Sequence, residues 1–165
     1  MSNDFAPPDR NETPLQRLDR HWIELLQEVR VVQTGVQLLT AFLLVLPFQE
    51  RFWELSDRSQ ALYLTAVGLS AAATGCLITP VAMHRLLFRH GARPALVNVA
   101  QKFALAGLAF LGLAIVAVLT LTFGIVLTTT WGVVAGAVVL TFFTSAWLVL
   151  PLLIKRQIGT VTLRT

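Results

Sequence analysis

The chain alternates between long apolar stretches and short charged ones. Ser59 to His84 and Phe103 to Ile154 contain no Asp, Glu, Lys or Arg. A soluble core helix must keep a polar face toward water, and runs of this length have none. They predict transmembrane helices. The predicted spans are 31–48, 61–83, 103–127 and 131–154, the last two separated by the turn Thr128-Thr129-Thr130. The shortest of them would form about 27 Å of helix at 1.5 Å per residue, close to the thickness of a bilayer core.

Ahead of the first span the pattern changes. Residues 1–13 are polar, carry a Pro-Pro pair and lack periodicity, which predicts a disordered tail. Thr13 and Pro14 then suit the N-cap and first position of a helix. Leu15, Leu18, Trp22, Leu25 and Val29 recur at three- and four-residue steps, with Arg17, Arg20, Glu24, Gln27 and Arg30 opposite. Residues 14–30 therefore read as an interfacial amphipathic helix with Trp22 at head-group depth. No turn signal separates it from the first span. The predicted fold is all-α: an integral membrane four-helix bundle, one domain over 14–155, with an N-terminal cytoplasmic amphipathic extension of the first span. Residues 156–165 form a cytoplasmic tail. Phe52 and Trp53, in the first loop, read as an interfacial aromatic pair.

Composition agrees with this pattern. The chain is 55% hydrophobic, and its 13% of charged residues is about half the share in soluble domains. A net charge of +4 would raise nucleic acid as a partner for a soluble domain. Here the basic residues flank spans, so anionic lipid head groups are the expected partner and nucleic acid is not. Lys and Arg outside the spans number four before the first span, four in the second loop and its flanks, and three at the C-terminus. The first loop has two and the third none. This asymmetry predicts a multi-pass protein with both termini in the cytoplasm. Residues 1–20 hold four acids and no apolar run, so the first span is expected to act as an uncleaved signal anchor. Arginine outnumbers lysine 11 to 2, which fits a GC-rich bacterial genome and hence a bacterial plasma membrane.

Candidate chemistry is sparse. The chain has no G-x-S-x-G, H-E-x-x-H, P-loop or paired cysteines, and His21, His84 and His90 are scattered. No catalytic group, metal or cofactor is expected. The lone Cys76 reads as a small packing residue. The main polar feature is in the first helix, where Arg17, Arg20, Glu24, Gln27, Arg30, Gln33, Gln37 and Thr40 step by three or four. An amide facing lipid has nothing to bond, so this stripe should meet other helices or a hydrated cavity. It reads either as a polar path from the cytoplasm, with Glu24, Glu28, Gln33 and Gln37 along it, or as cross-helix hydrogen bonding that holds the bundle. His84 and Arg85, at the cytoplasmic end of the second span, are within reach of Glu24 or Glu28. They could form a proton-sensitive Glu–His pair or an interfacial ion pair. Pro80, one turn earlier, predicts a kink. Gly68, Ala72 and Gly75 lie near one face of the second span, and Gly132-x-x-x-Gly136 opens the fourth. Both permit close helix contact, within the monomer or in a homo-oligomer.

Two blocks, "RLDRHWIELLQEVRVVQTGVQLLTAFLLVLPFQERF" and "TPVAMHRLLFR", resemble a family of small actinobacterial membrane proteins known as a domain of unknown function. The resemblance covers about Thr13 to Lys155. It implies four spans and no established activity, and some members of the family carry the label sodium:proton antiporter. An antiporter needs a titratable group that protons and sodium occupy alternately, usually a carboxylate within the bilayer. The acids nearest that depth are Glu24 and Glu28, whereas Gln37 and Thr40 occupy the depth itself. The leading expectation is a non-enzymatic membrane protein acting through interaction or scaffolding, with its cytoplasmic amphipathic segment facing lipid or a protein partner. The alternative is a small oligomeric ion transporter or channel.

Overall fold

A computed structural model describes residues 14–87, 93–149 and 151–152. The tails expected at 1–13 and 156–165, and the end of the fourth span beyond residue 152, lie outside the described residues. Four helices account for nearly all of the rest: α1 (Pro14–Val45), α2 (Asp57–Leu87), α3 (Arg93–Val126) and α4 (Thr129–Thr144). A π-helical turn, Ser145–Val149, continues α4. The stretches Leu26–Phe48, Asp57–Met83, Val99–Val126 and Thr129–Val149 are each long and apolar enough to cross a membrane.

Local chemistry explains the helix ends. Pro14 opens α1, where the missing N–H leaves no bond unmade. Pro47 closes it within a short 3-10 turn, Leu46–Phe48. Ser56 starts α2: its Oγ accepts from the Ser59 amide at 3.3 Å, and Asp57 lies in the first turn, where a negative charge meets the positive end of the helix dipole. Pro80 stands inside α2, which continues through it to Leu87. The Thr79 hydroxyl donates to Gly75 O at 2.9 Å, so it serves that carbonyl and not the Cys76 carbonyl that Pro80 leaves without its helical donor.

The packing inverts the usual order of sizes. Ala66, Ser70, Ala73, Ala100, Ala104, Ala114 and Ala117 are buried, while Val31, Leu38, Phe42, Leu64, Leu105, Val126, Val133 and Phe142 are exposed. Small residues inside let backbones approach closely, and large apolar residues outside suit a lipid solvent. Helices α2 and α3 form the largest interface. Helix α1 packs on α2 and more lightly on α3. Helix α4 packs on α3 and forms no comparable interface with α1 or α2. Two apolar clusters result. One, around Val29, Val36, Ala73, Leu77 and Ala104, joins α1, α2 and α3. The other comprises Leu43, Phe52, Tyr63, Ala66, Ala117 and Leu121.

Phe52 and Trp53 do pair, edge to face with ring centroids 5.5 Å apart, but Phe52 also belongs to the core. It is buried edge-on against Tyr63 with ring centroids 4.9 Å apart, whereas Trp53 is exposed. Tyr63 also performs a specific service. Pro47 has no N–H to offer the carbonyl of Leu43 four residues earlier, and the Tyr63 hydroxyl donates to that carbonyl at 2.9 Å. Replacing Tyr63 with Phe keeps the ring packing and removes the donor. The expected loss is about 1–3 kcal/mol, the cost of an unserved buried carbonyl, read as a lower midpoint in thermal unfolding in detergent. An unchanged midpoint would mean that this bond carries no stability.

Candidate functional site

The polar groups of the first helix do not all share a face. At about 100° per residue, Glu28 and Gln37 lie nine residues apart on one helix and so point in roughly opposite directions. Glu28 borders a groove of about 240 Å³ with Val29, Val32, Leu77, Gln101, Ala104, Leu105 and Leu108. Gln33 and Gln37 take no part in it. Gln33 is half-buried and Gln37 exposed, and neither amide makes a hydrogen bond among the described residues. The stripe expected on one face therefore winds around α1. Three-residue and four-residue steps in irregular order carry it from the outer side near Arg20 to the flank near Thr40.

Among the described residues the two glutamines do not bond across helices, and they do not line the groove with Glu28. Glu24 pairs within its own helix, its Oε1 3.0 Å from Nη1 of Arg20. Both side chains are well exposed, and pairs of this kind contribute little. Arg30 is exposed as well. His84 and Arg85 stand on α2 near its end, but their side chains, and with them any Glu–His pair, lie outside the described residues.

The hydroxyl groups of the spans behave differently from the amides. Thr34, Thr40, Thr65, Thr74, Thr79, Thr120, Thr122, Thr141 and Thr144 each donate to the carbonyl four residues earlier. Ser70 donates to Val67 O. Their donors are satisfied along their own helix and need neither water nor a partner. The glutamine side chain has no such local acceptor in use. Gln37 is also the midpoint of the stretch Leu26–Phe48, about 17 Å of helix from either end.

The small residues divide into two groups. A Cβ added at Gly132 would lie 2.5 Å from the Thr120 carbonyl oxygen and 2.9 Å from Cα of Gly124, and one at Gly136 would meet the Thr120 hydroxyl. These two are the buried residues of α4, and they set its approach to α3 inside the monomer. Gly68 and Gly75 are exposed with nothing within 4 Å of an added Cβ, and Ala72 is half-buried. That stripe faces outward. Two further close approaches escaped the sequence reading. Gly107 would meet Leu77, and Gly112 lies against Trp147 and Phe143. Their five-residue separation matches no packing motif, because each faces a different neighbour. Gln101, at the groove, had no periodic signal to mark it.

Among the described residues no three His, Cys, Asp or Glu side chains gather as a metal site. No curated protein and no solved structure matches the chain. The model of a family of unknown function, DUF6328, matches residues 11–151, most of the 165-residue sequence, and the chain belongs to that family.

Proposed function

We propose that this is a multi-pass protein of a bacterial plasma membrane that works through helix association in the bilayer and not by catalysis. Both termini and the α2–α3 connection face the cytoplasm, as the distribution of Lys and Arg favours. The amphipathic start of α1 emerges from the bilayer and meets anionic head groups there. The observation that carries the reading is the Gln37 amide: exposed, unbonded and at the middle of its apolar stretch. A primary amide left bare in hydrocarbon costs several kcal/mol, so a partner that hydrogen-bonds there gains strongly. The test is a photo-activatable residue at the exposed position 44, which leaves Gln37 in place, in native membranes, with position 42 as control. Protein adducts from 44 and lipid adducts from 42 are expected. Lipid adducts alone from both positions would refute the reading.

One observation favours a second reading, a small ion transporter or channel. The groove beside Glu28 places a carboxylate and the Gln101 amide over an apolar lining. Proton flux driven by sodium or potassium in liposomes, abolished by Glu28→Gln, would establish that reading in place of the first. Absence of flux at every pH, in uniformly oriented protein, would remove it for these ions.

A further inference from the structure

Helix α1 carries two parallel seams. Val29, Val32, Val36, Leu39, Leu43 and Leu46 alternate three- and four-residue steps, and all are buried or half-buried against the rest of the bundle. Leu26, Arg30, Gln33, Gln37, Thr40 and Leu44 alternate four- and three-residue steps beside it. In this second seam Leu26, Gln33 and Thr40 are half-buried, and Arg30, Gln37 and Leu44 are exposed. A repeat of 3.5 residues is the spacing that keeps one stripe in line with a neighbouring helix crossed at about 20°. The first seam has its neighbours. Among the described residues, the second joins neither apolar cluster.

Resting on the association reading above, we infer that the second seam is occupied by the same seam of a second copy, in a parallel two-fold dimer. The chemistry of the amide selects this occupant. Gln37 is donor and acceptor at once, so two of them satisfy each other. Copies inserted with one orientation can be related by a two-fold axis along the membrane normal, which sets Gln37 opposite Gln37 at equal depth. A dissimilar helix would have to supply its own polar group at that depth. Ala41, exposed one turn beyond Gln37, allows the helices to approach closely, and Leu44 meets its counterpart on the far side. Gln33, Gln37, Thr40 and Leu44 carry no charge, so like copies do not repel. Arg30 stands nearer the cytoplasmic end of the seam, where its long stem lets the guanidinium reach head groups and avoid its mate. The outward stripe of Gly68, Ala72 and Gly75 on α2 holds no polar group that lipid would leave bare, and so makes no comparable demand.

The test uses the full chain in liposomes, with Cys76→Ala to remove the native thiol. Leu44→Cys should form a disulfide-linked dimer on oxidation. Val45→Cys, one residue and about 100° away, should not. Adding Gln37→Leu to Leu44→Cys should weaken association about tenfold at fixed protein-to-lipid ratio, and Gln37→Asn, which keeps an amide, should weaken it less. A monomer at every density, equal cross-linking from 44 and 45, or a dimer indifferent to Gln37→Leu would each overturn the inference. Protein adducts from the photo-activatable residue at 44 without any dimer would overturn it while leaving the association reading in place. Lipid adducts alone would remove both.

Discussion

Leucine at Gly132 is expected to detach α4 from α3, while leucine at Gly68 leaves the monomer's fold intact. The contrast follows from what each new Cβ would meet. At Gly132 the obstacles are backbone atoms, the Thr120 carbonyl at 2.5 Å and the Gly124 Cα at 2.9 Å. Backbone cannot rotate aside, so the two helices must separate. The rest of α4 offers little to resist this, since its main interface is with α3 and its buried residues are Gly132 and Gly136. Overpacking of a tight contact costs about 1–3 kcal/mol and sometimes more. The Gly132→Leu protein should therefore show a clear fall in thermal midpoint in detergent. At Gly68 there is nothing within 4 Å, and the stability change should stay within about 0.5 kcal/mol. Equal falls for the two variants would mean that α4 is held elsewhere.

The second large effect is expected at Gly107, where α3 crosses α2. An added Cβ would lie 2.7 Å from Cγ and 2.9 Å from Cδ2 of Leu77, and 3.3 Å from the Ala73 carbonyl oxygen. Leu77 is almost fully buried, so it has little room to move. Gly107→Ala should destabilise by about 1–3 kcal/mol through overpacking. Leu77→Ala alone should destabilise by about 2–5 kcal/mol through the cavity it leaves. Together they should cost less than their sum, because the new methyl enters space that the leucine vacates. Residues in contact commonly couple by about 0.5–3 kcal/mol. Strict additivity in urea or thermal unfolding would mean that the two side chains do not compete for one site.

Hydropathy read the four apolar stretches from sequence well, and the helix ends less well. The span expected at 103–127 belongs to a helix that starts at Arg93. Asn98, Gln101 and Lys102 are polar, yet nothing in them stops a helix, so loss of hydropathy marked a change of surroundings and not an end of structure. Within the fourth apolar stretch, Thr129–Val149, the helix changes at Ser145 to a π-helical turn shortly before Pro151, and apolar content alone carries no sign of that turn. Gly132 and Gly136 were legible because both face one neighbour at four-residue spacing. Gly107 was not, because a lone glycine among alanines and leucines has no pattern. The Phe52–Trp53 pair was legible as two adjacent aromatics, but the burial of Phe52 against Tyr63 was not, because that contact joins the loop to a residue eleven positions later. The polar stripe misled for a geometric reason. Steps of three and four define one face only when they alternate regularly, and of the stripe's eight residues only Arg30, Gln33, Gln37 and Thr40 follow that alternation with Leu26 and Leu44.

The bond between Tyr63 and Leu43 has a consequence for the order in which the chain is made. The Pro47 ring denies the end of α1 its normal donor, and the missing donor arrives twenty residues later on α2. While only the first helix has been made, one carbonyl near its C-terminal end has no protein donor. Arrival of the second helix supplies it. The smallest unit of this chain whose polar atoms are satisfied at that point is thus a hairpin and not a single helix, and the first two helices have reason to assemble together.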